Sequence, residues 1–195
     1  MSGSLPLHTD TALARGLREL LRQLQERLAL HSPLNVYLAG GMAVHLYTAS
    51  RVTTDVDAEF GARVLLPSDL AVEVVLDDGA PQVVYLDTNY NASFALMHED
   101  YLADALPVDL GLEQIRLHVL APVDLAVSKI ARLADNDRED ICALVQLGLT
   151  NADAIERRAT QAMAGYVGSM AMLQRNLRDA VALARRTQTS PPRGR

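Results

Sequence analysis

Val36-Tyr37-Leu38-Ala39-Gly40-Gly41-Met42-Ala43-Val44-His45-Leu46, followed closely by Arg51-Val52-Thr53-Thr54-Asp55-Val56-Asp57, is the stretch that decides the fold. The apolar run Val36 to Ala39 reads as a short buried strand, and Met42 to Tyr47 as the first turns of a helix. Gly40-Gly41 is then the turn between them. Residues without a Cβ let an anion approach the backbone, and the N–H groups at a helix start favour one.

The two acids add a second half to the pattern. In an extended strand successive side chains face opposite ways, so Asp55 and Asp57 share one face, roughly 7 Å apart at their Cα atoms. Two carboxylates on one rigid element repel each other unless a cation neutralises them. Mg2+, or Mn2+ in its place, is a hard ion that takes one or two carboxylates and lets water and substrate phosphates complete its shell. Each half alone has an ordinary reading, a tight turn for the glycines and a solvated strand for the acids. Their succession in this order is what makes the pattern specific.

Strand, GG, helix, then R-x-T-x-D-x-D resembles the DNA polymerase β-like nucleotidyltransferase superfamily, with its G-[GS] followed by D-x-D; here Thr53 departs slightly and Thr54 holds the usual threonine place. The resemblance is closest to small bacterial minimal nucleotidyltransferases, the AbiEii-like and toxin–antitoxin-associated group. Downstream, Asp124-Leu125-Ala126-Val127-Ser128-Lys129-Ile130-Ala131-Arg132 and Asp137-Arg138-Glu139-Asp140-Ile141 are similar to the family's helical segments. The likeness covers about 100 residues, from Val36 to Leu149.

The resemblance implies roles residue by residue. Gly40 and Gly41 would hold phosphate, Asp55 and Asp57 the metal, and Lys129 the triphosphate, with Arg51 at the rim. A third carboxylate would help activate the attacking hydroxyl. Asp87, closing the apolar run Val83 to Leu86, is the leading candidate for it and Asp109 the competitor, since Pro107 disfavours a central strand there. The implied activity is Mg2+- or Mn2+-dependent transfer of a nucleoside monophosphate from an NTP such as ATP. The acceptor would be a hydroxyl or phosphate on RNA (tRNA among them), on protein or on a small molecule, and a cognate toxin or antitoxin could be a partner. The alternative is an inactive relative that binds a nucleotide or a protein. Lys129 and the Arg138, Glu139, Asp140 group also have plain readings, as a snorkelling helix lysine and as local ion pairs.

Composition narrows the class without choosing the substrate. With 195 residues, 49% of them hydrophobic, the chain can bury a core, and no run is apolar enough to span a bilayer. A cytoplasmic location and no membrane partner are the expectations. The net charge of −6 opposes strong nonspecific nucleic-acid binding, although arginines gather late, at Arg157, Arg158, Arg175, Arg178, Arg185, Arg186, Arg193 and Arg195. The histidines His8, His31, His45, His98 and His118 lack metal-ligand spacing, so zinc is not expected, and the lone Cys142 reads as a buried structural cysteine.

The predicted architecture is α/β (α+β). A short mixed sheet carries the glycine turn and the acids, preceded by an amphipathic helix with Leu13, Leu17, Leu20, Leu21, Leu24 and Leu28 at helical spacing. Residues 1–121 form this core lobe, 122–188 a helical lobe expected to close over the nucleotide, and 189–195 a loose tail. Strands are expected at Val36–Ala39, Val64–Leu66, Val72–Leu76, Val83–Leu86 and Leu117–Leu120. Helices are expected from Asp124 to near Gly148, from Ile155 to Tyr166 and from Ser169 to Arg186. Nothing in the pattern sets the oligomeric state.

Overall fold

In the computed structural model, which describes residues 5–189, the leucine stripe forms the buried face of α1 (Ala12–Leu28). Thr11 caps the helix by accepting the Ala14 N–H at 3.1 Å. Two strands pack beneath α1: β4 (Ala71–Val75) and β5 (Pro81–Leu86). Their alternation is plain: Val84 and Leu86 are buried while Val83 and Tyr85 face out. No membrane-crossing helix occurs among the described residues.

The chain divides into two compact units, one made of residues up to Tyr90 with Ala105–Val119, the other of Asn91–Asp104 with the chain from Leu120 onward. The first unit holds both sheets. Strand β1 (Leu34–Leu38) lies between β3 (Ala58–Phe60), antiparallel, and β7 (Ile115–Val119), parallel, and β6 (Leu106–Val108) closes the order β3-β1-β7-β6. The second sheet has the order β2-β5-β4, with β2 (Asp55–Val56) parallel to β5. Helix α2 (Gly40–Thr48) leaves β1 through the glycines.

Among the described residues four α-helices build the second unit: α3 (Pro122–Ser128), α4 (Asp135–Gln146), α5 (Ala152–Ala162) and α6 (Met170–Thr189). Buried ion pairs join them. Asp124, 1% exposed, receives two hydrogen bonds from Arg158, which also reaches Asp104. Asn176 donates to the carbonyls of Ile130 and Ala131 just past the end of α3.

Three expectations are corrected. Val64–Leu66 is not a strand; the segment is irregular, Leu65 is almost fully exposed, and Pro67 follows it. The single expected sheet is two, and the change of sheet falls at Asp57, so Asp55 and Asp57 do not lie on one continuous strand. The unexpected strand β6 accommodates Pro107 because it is an edge. Of the tail expected at 189–195, Thr189 belongs to α6 and residues 190–195 lie outside the described residues.

Candidate active site

The glycines and acids meet because the chain crosses between sheets beside the start of α2. The carbonyl of Asp57 accepts the Ala39 N–H at 2.8 Å, which brings residue 57 against the glycine turn. Gly40 has φ +62, and a Cβ built there would stand 1.9 Å from Asp57 Oδ2. Only glycine permits both the left-handed backbone and that carboxylate. At Gly41 a Cβ would meet Thr53 Oγ1 at 2.8 Å, and the Thr53 hydroxyl donates to Asp55 Oδ1 at 2.6 Å. Each glycine thus seats one arm of the D-x-D stretch.

The start of α2 is chemically open to an anion. Its N-cap is Ala39, whose methyl group cannot cap, and the helical ladder begins with Ala43 N–H to the Ala39 carbonyl at 3.3 Å. The N–H groups of Gly40, Gly41 and Met42 lie ahead of that ladder, as the first donors of any helix do. The Asp57 carboxylate lies against Gly40 at this positive end.

The two third-acid candidates are placed differently. Parallel pairing aligns Asp55 with Tyr85 and Val56 with Leu86, so Asp87 comes next to Asp57, with its N–H donating to the Val56 carbonyl at 3.1 Å. Its carboxylate turns back on its own loop and accepts the Asn89 N–H at 2.8 Å. Asp109 follows β6, just past the Val108–Leu117–Val36 row, about 13 Å of strand rise from Ala39. Asp109 Oδ1 accepts the Gly111 N–H. Among the described residues no three His, Cys, Asp or Glu side chains converge closely enough to hold a metal by themselves.

Lys129 and Arg51 are engaged locally. The Lys129 ammonium, in the helical unit and 8% exposed, lies 2.8 Å from Asp140 and 3.8 Å from Asp137. Arg132 pairs with Asp137 through two bonds of 2.8 Å. Burial pushes the Asp137 carboxyl up, but the Arg132 and Ala134 hydrogen bonds and the charges of Lys129 and Arg132 hold it below its ordinary value. Arg51 is half-buried, its Nη1 donates to the Val52 carbonyl at 3.2 Å, and its own carbonyl oxygen is 2.7 Å from His45 Nδ1.

Three site residues escaped sequence reasoning. Thr53 rather than Thr54 is the buried threonine, and the signal was its place two residues before Asp55, on the same side of an extended chain. Tyr90 is brought close to the acids; burial pushes its phenol up, and the negative charges of Asp57 and Glu59 add to that. His45 contacts Thr11, a pairing across 34 positions that no local pattern announces. Cys142 is half-buried, not buried, and its Sγ lies 3.3 Å from Thr187 Oγ1.

Strand β1, the glycine turn, α2 and the D-x-D stretch come together in the order the sequence pattern set out. The sequence agrees over most of its length: residues 15–182 match the family described as "Nucleotidyltransferase of unknown function (DUF6036)", and the chain belongs to that family. No curated protein and no solved structure matches it.

Proposed function

We propose that this protein is a divalent-metal-dependent nucleotidyltransferase that moves a nucleoside monophosphate from an NTP to a hydroxyl or phosphate acceptor. The observation that carries the reading is the seating of the Asp57 carboxylate on Gly40, where a Cβ would be 1.9 Å away, at the open start of α2. Carboxylates, bare backbone and helix N-terminus meet there.

The donor set suits Mg2+ or Mn2+. Asp55 and Asp57 offer hard oxygens, and such ions need only one or two protein carboxylates when substrate phosphates supply the rest. A bound ion would neutralise charge on the phosphates and lower the pKa of the attacking hydroxyl. The protein's own share is positioning. Gly40 and Gly41 give the triphosphate access to backbone N–H groups, Thr53 orients Asp55, and Arg51 stands at the rim. The acceptor oxygen bonds to the α-phosphorus, the bond to the β-phosphate oxygen breaks, and pyrophosphate leaves. Asp87, alongside Asp57, is the carboxylate we assign to the acceptor's proton. Lys129 belongs to the triphosphate only if it can leave Asp140.

The finer reading places this chemistry in the cytoplasm with tRNA, another RNA, a protein or a small molecule as acceptor, and a cognate toxin or antitoxin as partner; these rest on the superfamily resemblance. A second reading, nucleotide binding without transfer, draws on one observation, the Asp87 carboxylate folded onto its own turn. Incubating the protein with each α-labelled NTP, Mg2+, total tRNA and cell protein separates the two. Label on an acceptor, lost with Asp57→Asn, is the expected result. Nucleotide binding without label transfer would favour the second reading, and neither would overturn both.

A further inference from the structure

Away from the glycine turn, a chain of hydrogen bonds braces the loop that carries Thr53 and Asp55. His45, in the last turn of α2 and 4% exposed, places Nδ1 2.7 Å from the Arg51 carbonyl oxygen and Nε2 2.7 Å from Thr11 Oγ1. Thr11 Oγ1 also accepts the Ala14 N–H. A carbonyl can only accept, so Nδ1 carries the ring proton. Nε2 then presents a lone pair, and the Thr11 hydroxyl donates to it. A neutral, Nδ1-protonated ring satisfies all these groups together.

What the ring holds leads to the site. The loop is pinned at Arg51 by His45 and at Thr54, whose carbonyl accepts the Tyr85 N–H at 2.9 Å. Between them Thr53 packs on Gly41 and donates to Asp55. We propose that His45 is a positioning residue of the metal–nucleotide site, fixing residues 51–54 through the Arg51 carbonyl so that Thr53 aims the Asp55 carboxylate. The inference deepens the reading above and rests on it.

The surroundings agree with a neutral ring. Burial pushes the imidazole below its ordinary value, the Arg51 carbonyl opposes this and His8 adds to it. The charged or titratable groups facing His45 are His8, Arg51 and, lining the same cavity from the β4–β5 turn, Asp77 and Asp78.

The test measures binding of Mn2+ with an α,β-methylene analogue of each NTP to the intact protein and to His45→Ala, Thr11→Val and Thr11→Ser, alongside 15N spectra of the histidine rings. His45→Ala and Thr11→Val are each expected to weaken binding about tenfold, the effect of one net hydrogen bond, with Thr11→Ser restoring it. Unchanged binding in the two deletion variants, or a neutral ring whose proton sits on Nε2 rather than Nδ1, would overturn the proposal. If the unaltered protein binds no metal–nucleotide complex, the functional reading fails on its own. The Thr53 and Asp55 amide signals then decide the positioning claim: movement in His45→Ala and Thr11→Val supports it and constancy refutes it. Should His45→Ala not fold, the Thr11 pair carries the comparison.

Discussion

Asp124, Asp137 and Asp140 in the helical unit each answer to a cation of the chain itself, Arg158, Arg132 and Lys129 respectively. In the sheet unit the neutral Thr53 hydroxyl donates to Asp55 instead. The contrast separates two uses of the same side chain. A buried carboxylate paired with an internal cation is an element of structure, costly to break and silent toward ligands. A carboxylate oriented by a hydroxyl keeps a negative charge that the hydroxyl does not cancel. The second arrangement suits a site that receives its cation from outside.

Breaking the structural set should have the largest effect. Asp140→Ala leaves the Lys129 ammonium buried beside Asp137 alone and is expected to cost about 3–5 kcal/mol of stability, read by denaturant unfolding. Pairing it with Lys129→Met should restore much of that loss. Nucleotide binding that survives in the double variant would assign Lys129 to structure, and binding lost in a folded double variant would return it to the triphosphate.

Gly40→Ala attacks the other set. The left-handed backbone alone costs about 1–2 kcal/mol, and the new methyl must displace the Asp57 carboxylate. Binding of metal–nucleotide should fall by at least about 100-fold. Gly148→Ala is the control, with φ +67 and nothing within 4 Å of the added carbon, so it should show the strain in a melt without the loss of binding.

Thr53→Ala removes only the donor to Asp55. A drop of about tenfold in metal affinity is expected, with Thr53→Ser close to the parent, measured by calorimetry.

The smallest effect is a pH trend in stability. Burial lowers His45 and His118 below 6.5, with Arg116 contributing to the latter. The unfolded chain therefore binds more protons below about pH 6.5, so stability should climb with pH up to that point and then level off. Asp137 works further down: its contribution is present above its ordinary 3.8 and disappears as pH falls through the lowered folded value. Melting temperatures from pH 3 to 8 check both, and His45→Gln should flatten part of the upper slope.

The sequence showed what local periodicity can show. The leucines of α1, the apolar run into Gly40-Gly41, the alternation of β4 and β5, and the stop at Gly148 all report short-range geometry, and these features stand within a few residues of expectation; the one helix expected from Asp124 to near Gly148 is instead two, α3 and α4, broken at 129–134, where Leu133 is left-handed. The break at Asp57 was illegible because partner choice sets it: β2 pairs with β5 while β3 pairs with β1. An uninterrupted D-x-D reads as one strand until those partners are known. The same limit hid the bond from His45 to Thr11 and the pairing of Lys129 with Asp140. The run Val64–Leu66 misled in the opposite sense, apolar enough for a strand but followed by a proline and given no partner among the described residues. For the site, the pattern named Gly40, Gly41, Asp55 and Asp57 as a group, and fold geometry alone set Asp87 beside Asp57 and Asp109 apart.

The most direct measurement titrates Mn2+ into the protein with and without a non-hydrolysable NTP analogue, following free ion by electron paramagnetic resonance, and repeats it with Asp55→Asn and Asp57→Asn. The account expects nucleotide to tighten Mn2+ binding in the parent and each asparagine variant to fold yet lose that coupling. Equal Mn2+ binding in the parent and both variants would contradict it.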